Sequence, residues 1–229
     1  EFACDLFGMK TMAQAGYDPN GAIRNFERGR EAFGDHYFWE ALAFDHPTAT
    51  ERLALLDKAR ADMWQAVVDF EVGVDLLRMG NYPCAIESFQ GALVYFPESP
   101  EVLGNLGYSL LMTYYHSLPT AYWSDYNVGQ PMPIGFATFL PVPRRETRGA
   151  ALSDELQRIW REGVGHLEHA LKVKPDYVLA IGNLAFAHLI APQGPQTAQA
   201  APYLALAQQL AGSDPLLQVA VANNRAIAA

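Results

Sequence analysis

The stretch that decides the fold is GVDLLRMGNYPCAIESFQGALVYFP, residues 73–97 of a 229-residue chain. Its spacing predicts two antiparallel helices joined by a tight turn. Gly73 and Ala85 are small enough for the two helices to approach closely. Gly80 forms the turn, and Pro97 ends the second helix. The full pattern consists of Gly73, Gly80, Tyr82, Ala85, Phe89, Ala92 and Pro97.

This pattern is similar to the tetratricopeptide repeat, a helix pair of about 34 residues that stacks into a curved α-solenoid with a concave groove. The chain repeats itself in the same way. VLGNLGYSLL at 102–111 returns as AIGNLAFAHL at 180–189, and AIESFQGALVYFP at 85–97 is matched by GVGHLEHALKVKP at 163–175. The last segment predicts one more, degenerate helix pair. We therefore predict an all-α chain in which residues 62–229 form a tetratricopeptide-like solenoid.

Composition narrows the classes of function. Half of the residues are apolar, so the chain can bury a sizeable core in one or two domains. A formal net charge of −9 argues against non-specific binding to nucleic acid or to an anionic membrane surface. The apolar stretches are interrupted well short of a membrane span. Cys4 and Cys84 are too few to indicate a disulfide scaffold or a metal cluster.

A long insertion interrupts the second repeat at about residues 116–151. Its five prolines exclude a continuous helix, and its five aromatic residues make it unlike a disordered linker. The composition therefore predicts an ordered loop. Two roles stay open: a loop that packs back on the solenoid, or a docking or lid element in which Tyr122 or Trp123 contacts a partner.

The first helices of three repeats carry Val74, Tyr108 and Phe186 at equivalent positions. We expect these side chains to form an apolar and aromatic strip in the groove that binds an extended or helical segment of a partner protein. The alternative is that the protein's own loop or its N-terminal part fills the strip. A chaperone-type carboxylate clamp is disfavoured, because the groove positions lack the basic residues that it requires.

The N-terminal part resembles metallopeptidase family forty-eight, the CAAX prenyl endopeptidases and HtpX-like enzymes, and its periplasmic BepA-like branch in particular. The family pattern is an H-E-x-x-H helix, a downstream E-x-x-x-D helix, and an H-P element followed by Arg. In this chain Glu1, Asp5, His46, Pro47 and Arg52 match the last two elements in order. The resemblance covers about residues 1–61 as the end of a peptidase-like domain and implies that the chain is the downstream part of a larger enzyme.

The resemblance also implies a zinc site. Catalytic zinc takes three protein ligands and keeps one position for water. By resemblance Glu1 is the third ligand, Asp5 orients a ligating histidine, and His46 lies near the metal. His46 has an equally good structural reading, because Thr48 and Glu51 form a capping box for the helix that follows it. Zinc is expected only if a histidine pair is supplied, since H-E-x-x-H occurs nowhere in the sequence.

Two functions from different classes stay open. The chain is either the repeat-containing C-terminal part of a zinc metalloendopeptidase, whose repeats recruit a substrate or a partner complex for proteolysis or quality control, or a non-catalytic interaction or assembly subunit with a vestigial peptidase remnant. The resemblance implies a periplasmic or otherwise exported protein, with the cytoplasm as the alternative. It also allows association with a membrane protein complex. Whether the chain is an enzyme depends on an H-E-x-x-H upstream of it.

We predict that the chain alone has no zinc-dependent proteolytic activity, because the histidine pair and the general-base glutamate of that mechanism are absent from its sequence. The measurements are zinc content after purification and cleavage of casein with and without a chelator. Stoichiometric zinc together with chelator-sensitive turnover would contradict the prediction.

Overall fold

The structure is a computed structural model that describes residues 2–15, 17–35, 48–119, 131–134 and 153–229. These residues contain α-helices and no strand, which confirms the all-α prediction for this part of the chain. No helix in the described ranges is long and apolar enough to cross a membrane. The helices are α1 Phe2–Gln14, α2 Asn20–Phe33, α3 Ala49–Arg78, α4 Tyr82–Tyr95, α5 Pro100–Ser117, α6 Asp154–Val173, α7 Val178–Leu189, α8 Thr197–Leu210 and α9 Pro215–Ala228.

The chain divides into two compact units, Glu1–Val67 and Val68–Ala229, which we call unit 1 and unit 2. The division falls inside the long helix α3. The family resemblance implied a boundary after about residue 61.

Unit 1 contains α1, α2 and the first part of α3, and local side chains define where two of these helices begin. The Asp18 carboxylate accepts a hydrogen bond of 2.9 Å from the Asn20 backbone N–H at the start of α2. At the start of α3, the Glu51 N–H donates to the Thr48 hydroxyl oxygen at 3.2 Å, and the Thr48 N–H donates to the Glu51 carboxylate at 2.8 Å. This is the capping box predicted from the sequence.

The first turn of unit 2 is the one that the sequence placed at Gly80. This glycine has φ of 74° and follows the last residue of α3 by two positions. Its N–H donates to the Leu77 carbonyl at 3.0 Å, and the next N–H, of Asn81, donates to the Leu76 carbonyl at 2.9 Å. These two bonds form a Schellman motif, which requires a residue in the left-handed region and so favours glycine. The predicted turn is confirmed.

The helices of unit 2 stack in chain order. Each of α4 to α8 packs against the next helix, and α7 also contacts both α5 and α9. Contacts between neighbouring helices and between every second helix are what a stack of helix pairs produces, so the fold agrees with an α-solenoid in general terms. The two central helices α5 and α7 are buried along most of their length.

Small residues set the distances between these helices. A Cβ at Gly73 would lie 2.7 Å from the Phe89 ring, in agreement with the predicted close approach of α3 and α4. A Cβ at Gly107 of α5 would lie 2.8 Å from Leu167 Cγ and 2.9 Å from the Gly163 carbonyl oxygen of α6. A real Cβ does not tolerate these distances, so α5 and α6 pack this closely only because residue 107 is glycine.

We predict that Gly107→Ala lowers the free energy of unfolding by about 1 to 3 kcal/mol, because the new methyl group overlaps both Leu167 and the backbone of α6. Gly165→Ala is the matched control. A Cβ there meets nothing within 4 Å, and alanine is the better helix former by about 0.5 to 1 kcal/mol. Urea denaturation of both variants tests the pair. Equal stability of the two would contradict this account of the helix contact.

Candidate functional site

Three helices of unit 2 carry an asparagine at the same place in the repeat. They are Asn105 in VLGNLGY of α5, Asn183 in AIGNLAF of α7 and Asn224 in VANNRAI of α9, and we call them the asparagine row. All three are buried, Asn183 to 3% and Asn224 to 0% exposure. A buried carboxamide is costly unless its oxygen and its NH₂ group are both hydrogen-bonded.

The partners of two of these asparagines come from a short segment of the insertion, residues 131–134, which we call the clamped segment. The Ile134 N–H donates to Asn183 Oδ1 at 2.9 Å, and Asn183 Nδ2 donates to the Ile134 carbonyl oxygen. The Met132 N–H donates to Asn224 Oδ1 at 2.7 Å, and Asn224 Nδ2 donates to the Met132 carbonyl at 2.7 Å. Each asparagine therefore binds both backbone polar groups of a single residue.

The spacing of these bonds defines the backbone that the row accepts. In extended chain, the N–H and C=O of alternate residues point to the same side, so residues 132 and 134 can face the helices together. Pro131 and Pro133 occupy the alternate positions. Proline has no N–H to donate, and the bonds seen here use none from these two residues.

The Ile134 side chain is the anchor of the clamped segment. It is 3% exposed and belongs to a small apolar cluster with residues of α7, α8 and α9, among them Ile181, Leu217 and Val221. A Cβ at position 182 would overlap the Ile134 side chain, so Gly182 creates the space that it occupies. Met132, by contrast, is 39% exposed.

The residues that line the space beside Ile134 are uncharged, and the nearest charges named by the structure act on Tyr177, where Lys174 Nζ lies 5.5 Å from the ring centre. This small cavity beside Ile134 is lined by Gly104, Asn105, Tyr108, Ile134, Tyr177, Leu179 and Asn183. Burial, and then the nearby Glu101 carboxylate, raises the pKa of Tyr177 to about 12. Burial, and then Tyr82, raises the pKa of Tyr108 above its ordinary value. Both tyrosines therefore keep neutral hydroxyls at physiological pH.

The structure places the predicted strip inside the protein. Val74, Tyr108 and Phe186 are all buried and belong to the large hydrophobic core of unit 2. Of the three, Tyr108 lines the cavity beside Ile134, next to a segment of the protein's own insertion. In this conformation the three side chains are buried, so a partner on the surface would contact other residues. The proposed partner contacts Tyr122 and Trp123 lie outside the described residues.

Unit 1 brings together two residues of the peptidase resemblance. Arg52 Nε donates to Asp5 Oδ2 at 2.8 Å, and Arg52 Nη2 donates to Asp5 Oδ1 at 2.6 Å, across 47 positions of sequence. The Arg52 guanidinium also lies 4.5 Å from the centre of the Phe26 ring. This bidentate, largely buried pair joins α1 to α3 and occupies both oxygens of Asp5.

The zinc site implied by the resemblance falls mainly on residues outside the described ranges. Among the described residues, no three His, Cys, Asp or Glu side chains come close enough to hold a metal ion. The carboxylate of Asp5 is already neutralised by Arg52. Glu1 and His46, which the resemblance places at or near zinc, lie outside the described residues. His169 of α6 lies 3.6 Å from the Glu98 carboxylate.

Comparison with known proteins adds no relative: no family model and no curated protein matches this chain. The class of protein is therefore defined by the fold and the site alone. It is an all-α chain in whose second unit stacked helices hold an extended segment by paired asparagine hydrogen bonds.

Reasoning from the sequence missed the asparagine row. The signal was present as the tripeptide Gly-Asn-Leu, which occurs at 104–106 and again at 182–184 in two of the most apolar helices. We used it as a sign of repetition. A polar residue repeated at a core position also indicates a buried group that requires a partner.

We predict that Asn183→Ala lowers the free energy of unfolding by about 1 to 3 kcal/mol, because it leaves the buried N–H and C=O of Ile134 without partners. Asn25→Ala is the matched control: it makes the same change at an exposed position of α2 and should shift stability by less than about 0.5 kcal/mol. Chemical denaturation followed by circular dichroism measures both. Loss of the same size in the two variants would contradict a structural role for the Asn183 bonds.

Proposed function

We propose that unit 2 is a tetratricopeptide-type interaction domain that binds an extended segment of a partner protein across α5, α7 and α9. The observation that supports this is the pair of two-way hydrogen bonds from Asn183 and Asn224 to the backbone of one short segment. The row is a device for holding extended backbone, and it is present at three repeats.

Main-chain hydrogen bonds suit the binding of a partner peptide, because they supply affinity whatever the side chains, while pockets between them supply selectivity. The row provides the first element, and the space over Gly182 provides the second. The residues that line the space beside Ile134 are neutral, so they favour an uncharged side chain there. The proposal of a tetratricopeptide type is supported by the residue order around Gly80 and by the contacts of α7 with α5 and α9.

A second candidate function is the C-terminal part of a zinc metalloendopeptidase. The observation that favours it is the Asp5–Arg52 pair, which joins the two sequence elements on which the resemblance rests. In this version unit 2 recruits a substrate or a partner complex, zinc is held only with a histidine pair from outside this sequence, and the protein is periplasmic or otherwise exported. An H-E-x-x-H motif in the gene upstream of Glu1 would support this candidate, and its absence would leave the interaction domain alone.

Selection from a random peptide library tests the interaction proposal. The baits are the full chain and a variant with Ile134→Asp, which places a charge in an apolar site and so expels the clamped segment. We expect enriched peptides whose affinity falls at least about tenfold with Asn183→Ala, the loss of a buried hydrogen-bond pair. Asn25→Ala should leave their affinity unchanged. If neither folded bait enriches a peptide that depends on Asn183, the proposal is wrong.

A further inference from the structure

We infer that the clamped segment is an intramolecular stand-in for the partner, and that the partner segment is an extended peptide in which an aliphatic residue binds over Gly182 and the alternate positions accept proline. This inference rests on the proposed function of the same site. It adds the chemistry of the ligand, the direction in which it runs and the competition that it must overcome.

The backbone requirement follows from the bonds. A ligand must present the N–H and C=O of residue i to Asn224 and those of residue i+2 to Asn183, as Met132 and Ile134 do. The neighbours of these residues need no N–H, so proline is accepted there. Proline also restricts the free peptide to extended conformations, which reduces the entropy that it loses on binding.

The side-chain requirement differs at the two positions. Residue i+2 enters an apolar site and is almost fully enclosed, as Ile134 is, so an aliphatic side chain is selected and a charged one is rejected. Residue i remains partly exposed, as Met132 is, so many side chains are accepted. Gly182 makes this selection possible, because any larger residue there would fill the site.

Asn105 indicates how a partner can replace the clamped segment. It occupies the same repeat position as Asn183 and lines the cavity beside Ile134, and its carboxamide has no hydrogen-bond partner among the described residues. Met132 binds Asn224 of α9, and Ile134, two residues later, binds Asn183 of α7. A ligand that continues in the same direction therefore presents residue i+4 to Asn105 of α5. The ligand therefore runs from α9 towards α5 and can engage all three asparagines.

Competition has a simple physical basis. A tethered segment acts at a high effective concentration, of the order of millimolar for short flexible connections. A free peptide binds only those molecules in which the row is open. Its apparent affinity is therefore lowered in proportion to that fraction. An additional contact at Asn105 helps a partner to overcome this handicap. If the clamped segment were permanent packing, removing it would give no gain in binding.

The test uses a fluorescent peptide of sequence GQPMPIGF, which corresponds to residues 129–136, and fluorescence anisotropy. We expect the Ile134→Asp protein to bind this probe at least about tenfold more tightly than the unmodified chain, since its own segment no longer competes. Methylating the isoleucine N–H of the probe should weaken binding about tenfold or more. Replacing both prolines of the probe by alanine should change affinity by less than about fivefold, because no hydrogen bond is lost.

Two protein controls complete the design. Asn105→Ala in the Ile134→Asp background should weaken binding of the eight-residue probe, but not of a shorter probe that ends at its isoleucine. Asn25→Ala should affect neither. If Ile134→Asp does not fold, as judged by circular dichroism, a variant with residues 131–134 replaced by Gly-Ser-Gly-Ser takes its place.

Several results would overturn the inference while leaving the interaction proposal intact. One is equal binding of the probe by the unmodified and the released proteins. Another is binding that does not respond to methylation of the isoleucine N–H. A third is failure of the released protein to bind the probe although the library yields other peptides that depend on Asn183. Absence of any such library peptide would contradict the proposed function itself.

Discussion

The organisation of unit 2 depends on one constraint, that a buried carboxamide needs both a donor and an acceptor. The backbone groups of α7 are engaged within the helix, so Asn183 must find its partners elsewhere. An extended segment with a free N–H and C=O on one residue satisfies it completely, and the segment at Ile134 does so. The same argument applies to Asn224 and Met132. The position of residues 131–134 on the helices follows from these bonds.

Two glycines of the repeats have different structural roles. Gly107 lets α5 approach α6 closely, whereas Gly182 leaves room on α7 for a side chain from another segment. One glycine therefore serves helix packing and the other makes room for the Ile134 side chain. Both occur in first helices of the repeats, so a single sequence pattern produces a scaffold and a site together. The proposed function uses the second of these roles.

Unit 1 depends on a different interaction, the bidentate pair of Asp5 and Arg52. Its two members lie on α1 and α3 and are largely removed from solvent, so loss of Arg52 would take this charge partner from the Asp5 carboxylate in a poorly hydrated place. The resemblance drew attention to both residues and assigned Asp5 to a metal site. The structure pairs the two with each other, and Arg52 also lies over the Phe26 ring. In a structural role the Asp5 carboxylate needs only Arg52 as its partner. In the proposed peptidase it would also accept a hydrogen bond from a histidine that binds zinc.

The local sequence pattern was enough to predict a turn and a helix start in this protein, whereas the candidate site was decided by the tertiary structure. The turn at Gly80 and the capping box at Thr48 could be predicted because each depends on a few neighbouring residues. The pairing of Asn183 with Ile134 spans 49 positions, and a backbone N–H and C=O are the same in nearly every residue. Sequence therefore identifies the asparagine that needs a partner but not the segment that supplies it, because hydrogen bonding to the backbone leaves no mark on side-chain identity.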